Sequence, residues 1–136
     1  MPATSTRIGD AAHHFILAER AGHLLAFSDC SLASELPEPS LSRGLELVRL
    51  HVQRHWQRAG IGAALLAQAE ALTRAHQRPL LWLTAWSSNA NARAFYLAQG
   101  YQDVGHSDYV FEGQAYEHRI YCKFFTDVAA REALLL

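Results

Sequence analysis

The sequence predicts an α/β (α+β) fold in which strand hairpins flank two helical crossovers. Apolar runs of strand length alternate with two segments of helical periodicity, and their order is β-β-β-α-β-α-β-β. The two helical segments in the middle have the length of right-handed βαβ crossovers. The chain has 136 residues, of which 50% are hydrophobic, so it can bury one core, and we expect residues 1–136 to form a single domain.

The first part of the chain reads as a poorly ordered segment followed by a hairpin. Residues 1–12 are mostly small and polar, and we expect them to be poorly ordered. His14 to Ala18 and Leu24 to Ser28 are apolar runs that flank Glu19-Arg20-Ala21-Gly22. A glycine in such a short connection predicts a β-hairpin turn. The proline- and serine-containing stretch at 34–44 predicts a loop.

The middle of the chain predicts a third strand and the first helix. Leu45 to Val52 reads as the strand, and about Gly60 to His76 reads as the helix, which ends before Pro79. The apolar residues of this helix recur with the 3.6-residue helical period. They are Ile61, Leu65, Leu66, Ala69 and Leu72.

The second half of the chain begins with a continuously apolar strand at Leu80 to Ala85, which predicts a buried central strand. A second helix is predicted from about Asn91 to Gln99 and is stopped by Gly100. Gly105 to Phe125 predicts two strands around the turn Glu112-Gly113-Gln114. Asp127 to Leu136 predicts a short final helix with a leucine-rich tip, which suggests a homodimer interface.

The connection between the third strand and the first helix has the composition of a phosphate-binding turn. Gly60 and Gly62 stand where the helix begins, and Arg54 and Arg58 can add positive charge. Unpaired backbone N–H groups and the positive end of the helix dipole bind phosphate at such a turn. A Walker loop (GxxxxGK[ST]) and a dinucleotide fingerprint (GxGxxG) are both absent, so these two nucleotide sites are excluded.

Two motifs show what this turn resembles. Gln57, Gly60 and Gly62 form a QxxGxG pattern directly after a strand, and Asn89 to Tyr101 matches NxxAxxFYxxxGF, with Tyr101 in place of the phenylalanine. Both patterns resemble hallmarks of the GCN5-related N-acetyltransferase (GNAT) superfamily, and the resemblance spans roughly Phe15 to Phe125. It implies a mixed, mostly antiparallel sheet, splayed at its centre to admit pantetheine and flanked by helices. Only about 13 residues precede the first hairpin, so the usual N-terminal helical unit is missing or shortened.

The resemblance implies an acetyl-CoA-dependent N-acetyltransferase. The acetyl group would pass to a primary amine, on a small molecule or a peptide, by direct attack in a ternary complex. The alternative is a non-catalytic acyl-CoA-binding sensor or interaction module on the same fold. The short N-terminus favours this alternative, because the missing helices wall the acceptor site in the superfamily, whereas Tyr96 and Glu46 favour the enzyme.

The resemblance also implies which residues bind the cofactor. The backbone N–H groups of the glycine turn would cradle the pyrophosphate, and Val52 would make main-chain contacts with pantetheine. Leu50, at the expected bulge, would offer its N–H to the thioester carbonyl. Asn89 would either bond the cofactor chain or cap the second helix. The cofactor-binding residues are therefore expected to be Leu50, Val52, Gln57, Arg58, Ala59, Gly60, Ile61, Gly62, Ala63 and Asn89.

Two side chains are candidates for proton transfer. By resemblance, Tyr96 would protonate the departing thiolate; the alternative is a buried aromatic that holds the helix on the sheet. Glu46 lies six residues before Val52, where histone-type members place a general base, and the alternative is a solvated strand glutamate. His51 and His118 are weaker candidates for the same role.

Several other classes of function are disfavoured. The net charge of −1 gives no basic field for a nucleic acid. No apolar run reaches the roughly 20 residues needed to cross a membrane. Cys30 and Cys122 make no disulfide framework, so we expect a reduced, cytoplasmic protein. Adjacent His13 and His14 would point to opposite faces of a strand, no CxxC pair occurs, and we expect no metal site.

Overall fold

The computed structural model describes residues 3–8, 13–35 and 43–125. Within these ranges the chain forms seven strands and two α-helices, with one 3-10 turn at Arg54–Trp56. In chain order the elements are β1 (Ala3–Ile8), β2 (His13–Arg20), β3 (His23–Ser31), β4 (Leu45–Val52), α1 (Ile61–Ala75), β5 (Leu80–Trp86), α2 (Ala90–Ala98), β6 (Gln102–Phe111) and β7 (Gln114–Phe124). The helix predicted at Asp127–Leu136 lies outside the described residues.

The N-terminal strand β1 differs from the expectation. It pairs antiparallel with β2 along its whole length, from Ala3 opposite Glu19 to Ile8 opposite His14. The prediction of a poorly ordered N-terminus is therefore wrong for residues 3–8. A strand at a sheet edge is held by backbone hydrogen bonds, so it needs no apolar run in its sequence. Residues 9–12 then connect β1 directly to β2, which leaves no room between them for two helices.

The seven strands form one sheet in the order β1-β2-β3-β4-β5-β7-β6. Every neighbouring pair is antiparallel except β4 and β5, which are parallel. The predicted α/β class and the mixed, mostly antiparallel sheet are confirmed.

The sheet splays between β4 and β5, as the resemblance implied. These strands pair only where Leu45 faces Leu81 and Glu46 faces Trp82. Beyond these pairs β4 stays with β3 as far as Val52, and β5 stays with β7 as far as Trp86. The sheet is therefore two halves that join at one end and open at the other.

A bulge interrupts β4 at Val48. Cys30 pairs with Leu47 and Asp29 pairs with Arg49, so Val48 is the extra residue on β4. The resemblance implies a bulge at Leu50, whereas the bulge lies two residues earlier. Leu50 itself pairs in register with Ser28. The extra residue changes the alternation of β4, so that Leu47 and Leu50 lie on the same face of the sheet.

Helix α1 packs on the first half of the sheet through the predicted stripe. Its fully buried residues are Ile61, Leu65, Leu66, Ala69 and Thr73. Thr73 is buried because its hydroxyl donates to the carbonyl of Ala69 at 2.8 Å, while Leu72 is only partly buried. The apolar periodicity therefore predicts the buried face correctly.

The turns follow the predicted chemistry. Ala21 and Gly22 both have positive φ, of 51° and 78°, as a two-residue hairpin turn requires. Glu112 and Gly113 do the same between β6 and β7, with φ of 50° and 79°. The chain reverses after α2 at Gly100, where the N–H of Tyr101 donates to the carbonyl of Tyr96 at 3.0 Å, as in a Schellman motif.

We expect Gly44→Ala to destabilise the fold. A Cβ at Gly44 would lie 2.5 Å from the carbonyl oxygen of Leu80, directly beside the pairs that join β4 to β5. Overpacking of this kind costs about 1–3 kcal/mol, which urea unfolding measures. Gly62→Ala is the control, because a Cβ there lies no closer than 3.6 Å to other atoms. Equal stability of the two variants would contradict the prediction.

Candidate functional site

The opening between β4 and β5 forms a cleft with two connected cavities. The first, of about 640 Å³, lies between β4 and β5, and we call it the sheet-side cavity. The second, of about 700 Å³, lies between the end of β4, the glycine turn and α2, and we call it the helix-side cavity. Four residues line both cavities and therefore mark their junction. They are Leu50, Asn89, Ala92 and Tyr96.

The glycine turn has a backbone suited to an anion. Arg58 and Gly60 adopt positive φ, of 66° and 82°, while Ala59 between them does not. Where left-handed residues interrupt a turn, successive N–H groups can point toward one side and form an anion-binding nest. Glycine at position 60 is predictable, but nothing in the sequence indicates that Arg58 takes this conformation. A non-glycine residue there costs of order 1 kcal/mol or more, which favours a functional role for the turn.

The N-terminus of α1 is open, whereas that of α2 is closed by its own side chain. Gly60 stands at the N-cap of α1, and no side chain caps this helix end. At α2, the Oδ1 atom of Asn89 accepts a hydrogen bond from the N–H of Ala92 at 3.1 Å. Of the two roles expected for Asn89, the structure therefore shows the cap. The first N–H groups of α1, around Ile61 and Gly62, stay available to a ligand.

The backbone of β4 presents polar groups to the cleft. The N–H of Gln53 donates to Leu25 on β3 at 2.9 Å, so by strand alternation the N–H groups of Val52 and Leu50 point away from β3. The carbonyl of Val52 accepts a hydrogen bond from Nε2 of Gln57 at 3.1 Å, which agrees with this direction. Leu50 and Val52 both line the helix-side cavity, and their contacts with a cofactor stay a prediction.

Tyr96 lies at the junction of the two cavities. Tyr96 is 8% exposed. Its ring stacks against that of Tyr121 with centroids 6.3 Å apart and meets the ring of Tyr101 edge-on with centroids 5.9 Å apart. Burial disfavours the phenolate and raises the pKa of Tyr96 to about 12. Among the described residues, no hydrogen-bond partner holds its hydroxyl. Tyr96 is therefore a packed aromatic, and its role as an acid stays a prediction.

Polar contacts hold α2 in place beside the cleft. Arg93 donates to the hydroxyl of Tyr121 at 3.2 Å and to the carbonyl of Ser87 at 3.0 Å. The hydroxyl of Tyr101 donates to Glu70 on α1 at 2.8 Å, and burial together with this contact raises the pKa of Tyr101. The departure of Tyr101 from the motif is thus explained, because its added hydroxyl finds a carboxylate on the neighbouring helix.

The three candidate bases occupy different places. Glu46 is half-buried in the last β4–β5 pair and lines neither cavity. His51 and His118 both line the sheet-side cavity. Nδ1 of His118 lies 3.2 Å from the carbonyl of Tyr116, and since a carbonyl only accepts, Nδ1 carries the hydrogen. The other ring nitrogen of His118 is then the proton acceptor.

Residues that the sequence analysis did not assign to the site also line it. Asn91 and Phe95 line the helix-side cavity, and Arg49 and Phe27 line the sheet-side cavity. Arg49 contacts Asp29 at 3.3 Å and lies over the Phe27 ring at 6.0 Å. The bulge at Val48 sets the register in which Arg49 lies directly opposite Asp29. No pattern in the sequence indicates this pairing.

The described ranges contain neither a cluster of metal-ligating side chains nor a membrane-spanning helix. Within residues 3–8, 13–35 and 43–125, no three metal-ligating side chains come together. His51 and His55 are four positions apart, but one lies on β4 and the other in the 3-10 turn. In the same ranges, no helix has the length and apolarity to cross a bilayer.

Comparison with known proteins agrees with this geometry. A curated relative, an uncharacterized N-acetyltransferase in the pepI 3' region of Lactobacillus delbrueckii subsp. lactis, is 37% identical over 57 residues, which are 42% of this chain and 33% of that protein. The chain thus matches only a third of that relative's length.

Two solved structures illustrate the shared fold. Arabidopsis thaliana NAA60 in complex with a bisubstrate analogue superposes with a TM-score of 0.71 at 18% identity, over 86% of this chain and 78% of that one. A GNAT family acetyltransferase from Elizabethkingia anophelis with acetyl-CoA bound gives a TM-score of 0.68 at 13% identity, over 84% and 77%. The sequence model of the Acetyltransferase (GNAT) family matches residues 2–101. With its splayed sheet, its glycine turn and this match over most of its length, the chain belongs to the GNAT acetyltransferase family.

Proposed function

We propose that this protein is an acetyl-CoA-dependent N-acetyltransferase that transfers the acetyl group directly to a primary amine in a ternary complex. One observation carries the proposal: the helix-side and sheet-side cavities meet at Leu50 and Tyr96. A thioester held in one cavity and an amine held in the other would react at this junction. A peptide or a small molecule can supply the amine, because the cleft is open.

The helix-side cavity suits the cofactor. The nest at Arg58 to Gly60 and the uncapped start of α1 would receive the pyrophosphate, and Arg54 and Arg58 would add positive charge. Pantetheine carries amides, which can pair with the polar groups of Val52 that face away from β3. Gln57 would then release the Val52 carbonyl that it holds at 3.1 Å. Asn89 would act through the position of α2, which it caps.

The transfer needs two hydrogen-bond donors, one for the carbonyl oxygen of the thioester and one for the departing sulfur. The amine nitrogen attacks the thioester carbon, a C–N bond forms, and the carbonyl oxygen becomes an oxyanion that the N–H of Leu50 stabilises. The C–S bond then breaks, and the thiolate receives its proton from the hydroxyl of Tyr96. The proton lost by the amine goes to the general base.

We propose His118 as this base, and His51 is the second histidine that lines the same cavity. Both lie in the sheet-side cavity, where the amine would bind. Glu46, at the closed end of the splay, would reach the amine only through water, and its role stays a prediction from the sequence.

The first test is binding of acetyl-CoA. We expect acetyl-CoA and CoA, but not ATP, to raise the melting temperature, since a ligand at 100 times its Kd adds about 2.7 kcal/mol. Gly62→Ala should keep the basal stability but reduce the ligand-induced rise, because its Cβ enters the helix-side cavity near Phe95 and Val52. Gly44→Ala is the matched control, with lower basal stability and an unchanged rise. No response to either CoA form would refute the proposed function.

A second prediction concerns Tyr96. Tyr96→Phe should lower kcat by about 100-fold or more and leave the KM for acetyl-CoA little changed, because only the proton donor is lost. The raised pKa of about 12 means that the donor stays protonated as the pH rises. The wild-type kcat should therefore not fall between about pH 8 and about pH 10. An unchanged kcat in the variant, or a fall in that range, would remove Tyr96 from this role.

A third prediction separates the candidate bases. His118→Gln should lower kcat/KM about 10- to 100-fold at neutral pH, with recovery at high pH, where the amine is already deprotonated. Glu46→Gln should lose less, because Glu46 lines neither cavity. Release of the CoA thiol over a pH series measures both. A larger, pH-reversible loss in Glu46→Gln would assign the base to Glu46 instead.

The second candidate function is a CoA-binding module without transferase activity. It is favoured by the short stretch of chain between β1 and β2, residues 9–12, because the resemblance implies two helices at this point that would wall the acceptor site. Ligand-induced stabilisation together with no thiol release over a panel of amines would support this module over the enzyme.

A further inference from the structure

Four aromatic side chains form an exposed surface beside the cleft. Trp86 at the end of β5, Tyr109 and Phe111 on β6, and Tyr116 on β7 make up this surface, which we call the aromatic shelf. Together with His118 they line a shallow cavity of about 340 Å³. Trp86, Tyr109 and Phe111 are 48%, 59% and 53% exposed.

The rings of the shelf contact one another in defined orientations. Tyr109 and Phe111 lie parallel, with centroids 6.5 Å apart and planes 12° apart. Trp86 meets Tyr116 edge-on at 6.4 Å, and Tyr109 meets His118 in the same way at 6.2 Å. Aromatic rings left in water next to a polar cleft are typical of a ligand surface, since large exposed apolar patches are uncommon without a function.

The shelf continues the sheet-side cavity. Trp86 and His118 line both, so a molecule in the cavity meets the shelf as it extends outward. In the proposed enzyme this cavity receives the amine. The shelf would therefore contact the part of the acceptor that lies away from its reacting nitrogen.

The charges of the cavity restrict the acceptor further. Its described basic lining residues are Arg49, His51 and His118, and no carboxylate is among the described lining residues. Asp29 is buried, and it faces His13 at 2.8 Å and Arg49 at 3.3 Å. A polyamine or another polycation would meet Arg49 here without a carboxylate on the lining to pair with.

We propose that the acceptor is an arylalkyl monoamine, whose aromatic ring binds the shelf while its single amino group reaches the junction at Tyr96. This inference rests on the proposed function and specifies its substrate class. An aromatic ring gains both area burial and ring–ring contact on such a surface. A second copy of this chain is the competing occupant of the shelf, and the experiment tests for it.

The test compares 2-phenylethylamine, butylamine and spermidine as acceptors with the wild-type protein and with a Tyr109→Ala/Phe111→Ala variant. We expect 2-phenylethylamine to have the highest kcat/KM, and the variant to lose about 10- to 100-fold for this amine through KM. For butylamine the variant should lose much less, because only the contact of Tyr109 with His118 changes, and the KM of acetyl-CoA should match the wild type. Val110→Ala is the matched control, because Val110 lies between the two rings on the opposite face of β6 and is 66% exposed.

Binding of 2-phenylethylamine to the CoA-bound protein, measured by calorimetry, separates this inference from the proposed function. Binding that the double variant loses, without any transfer, would support the shelf and refute the enzyme. Transfer to butylamine or spermidine with no preference for the aromatic amine would refute the shelf and leave the enzyme standing. If the double variant instead converts a dimer to a monomer in gel filtration, the shelf is an interface between copies, and the inference is overturned.

Discussion

The short parallel pairing of β4 and β5 is the constraint on which the site depends. Leu45 with Leu81 and Glu46 with Trp82 hold the two halves of the sheet together, and beyond them the strands diverge. Neither strand is destabilised by this, because β4 keeps its ladder with β3 and β5 keeps its ladder with β7. The N–H groups of Leu50 and Val52 that would have continued the pairing point away from β3, and the carbonyl of Val52 accepts a hydrogen bond from Gln57.

The two helices differ in how their first N–H groups are paired. Asn89 caps α2 and satisfies one of its first N–H groups, whereas Gly60 offers α1 no side chain. Glycine at the N-cap costs only about a few tenths of a kcal/mol when compared with Asn or Ser, and it leaves the positive end of the α1 dipole accessible to an anion. The helix-side cavity thus borders two kinds of N–H donor, on β4 and on α1. The sheet-side cavity is lined instead by His51, His118 and Arg49, and it continues into the aromatic shelf.

The sequence predicts the elements whose signals are local. The stripe from Ile61 to Ala69 is buried, Gly100 ends α2, and the two hairpins turn where positive φ is easiest to adopt. The features that it misses depend on pairing between distant segments. Ala3–Ile8 becomes a strand because the edge of β2 accepts it, and the bulge lies at Val48 because Asp29 and Cys30 set the register from β3. Tyr101 departs from its motif because Glu70, 31 residues away, receives its hydroxyl.

By itself, the amino-acid sequence determined the class of the fold, the glycine turn and the positions of the two family motifs. These follow from residue spacing, since helical and strand periods and glycine conformations are local properties of the chain. Only the tertiary structure decided how the site is assembled. It placed Tyr96 between the two cavities, left Glu46 outside both, and joined Trp86 of β5 to Tyr109 and Phe111 of β6 in one surface. The physical reason is that these relations depend on how far two strands diverge and on the register across a sheet, and neither is set by neighbouring residues.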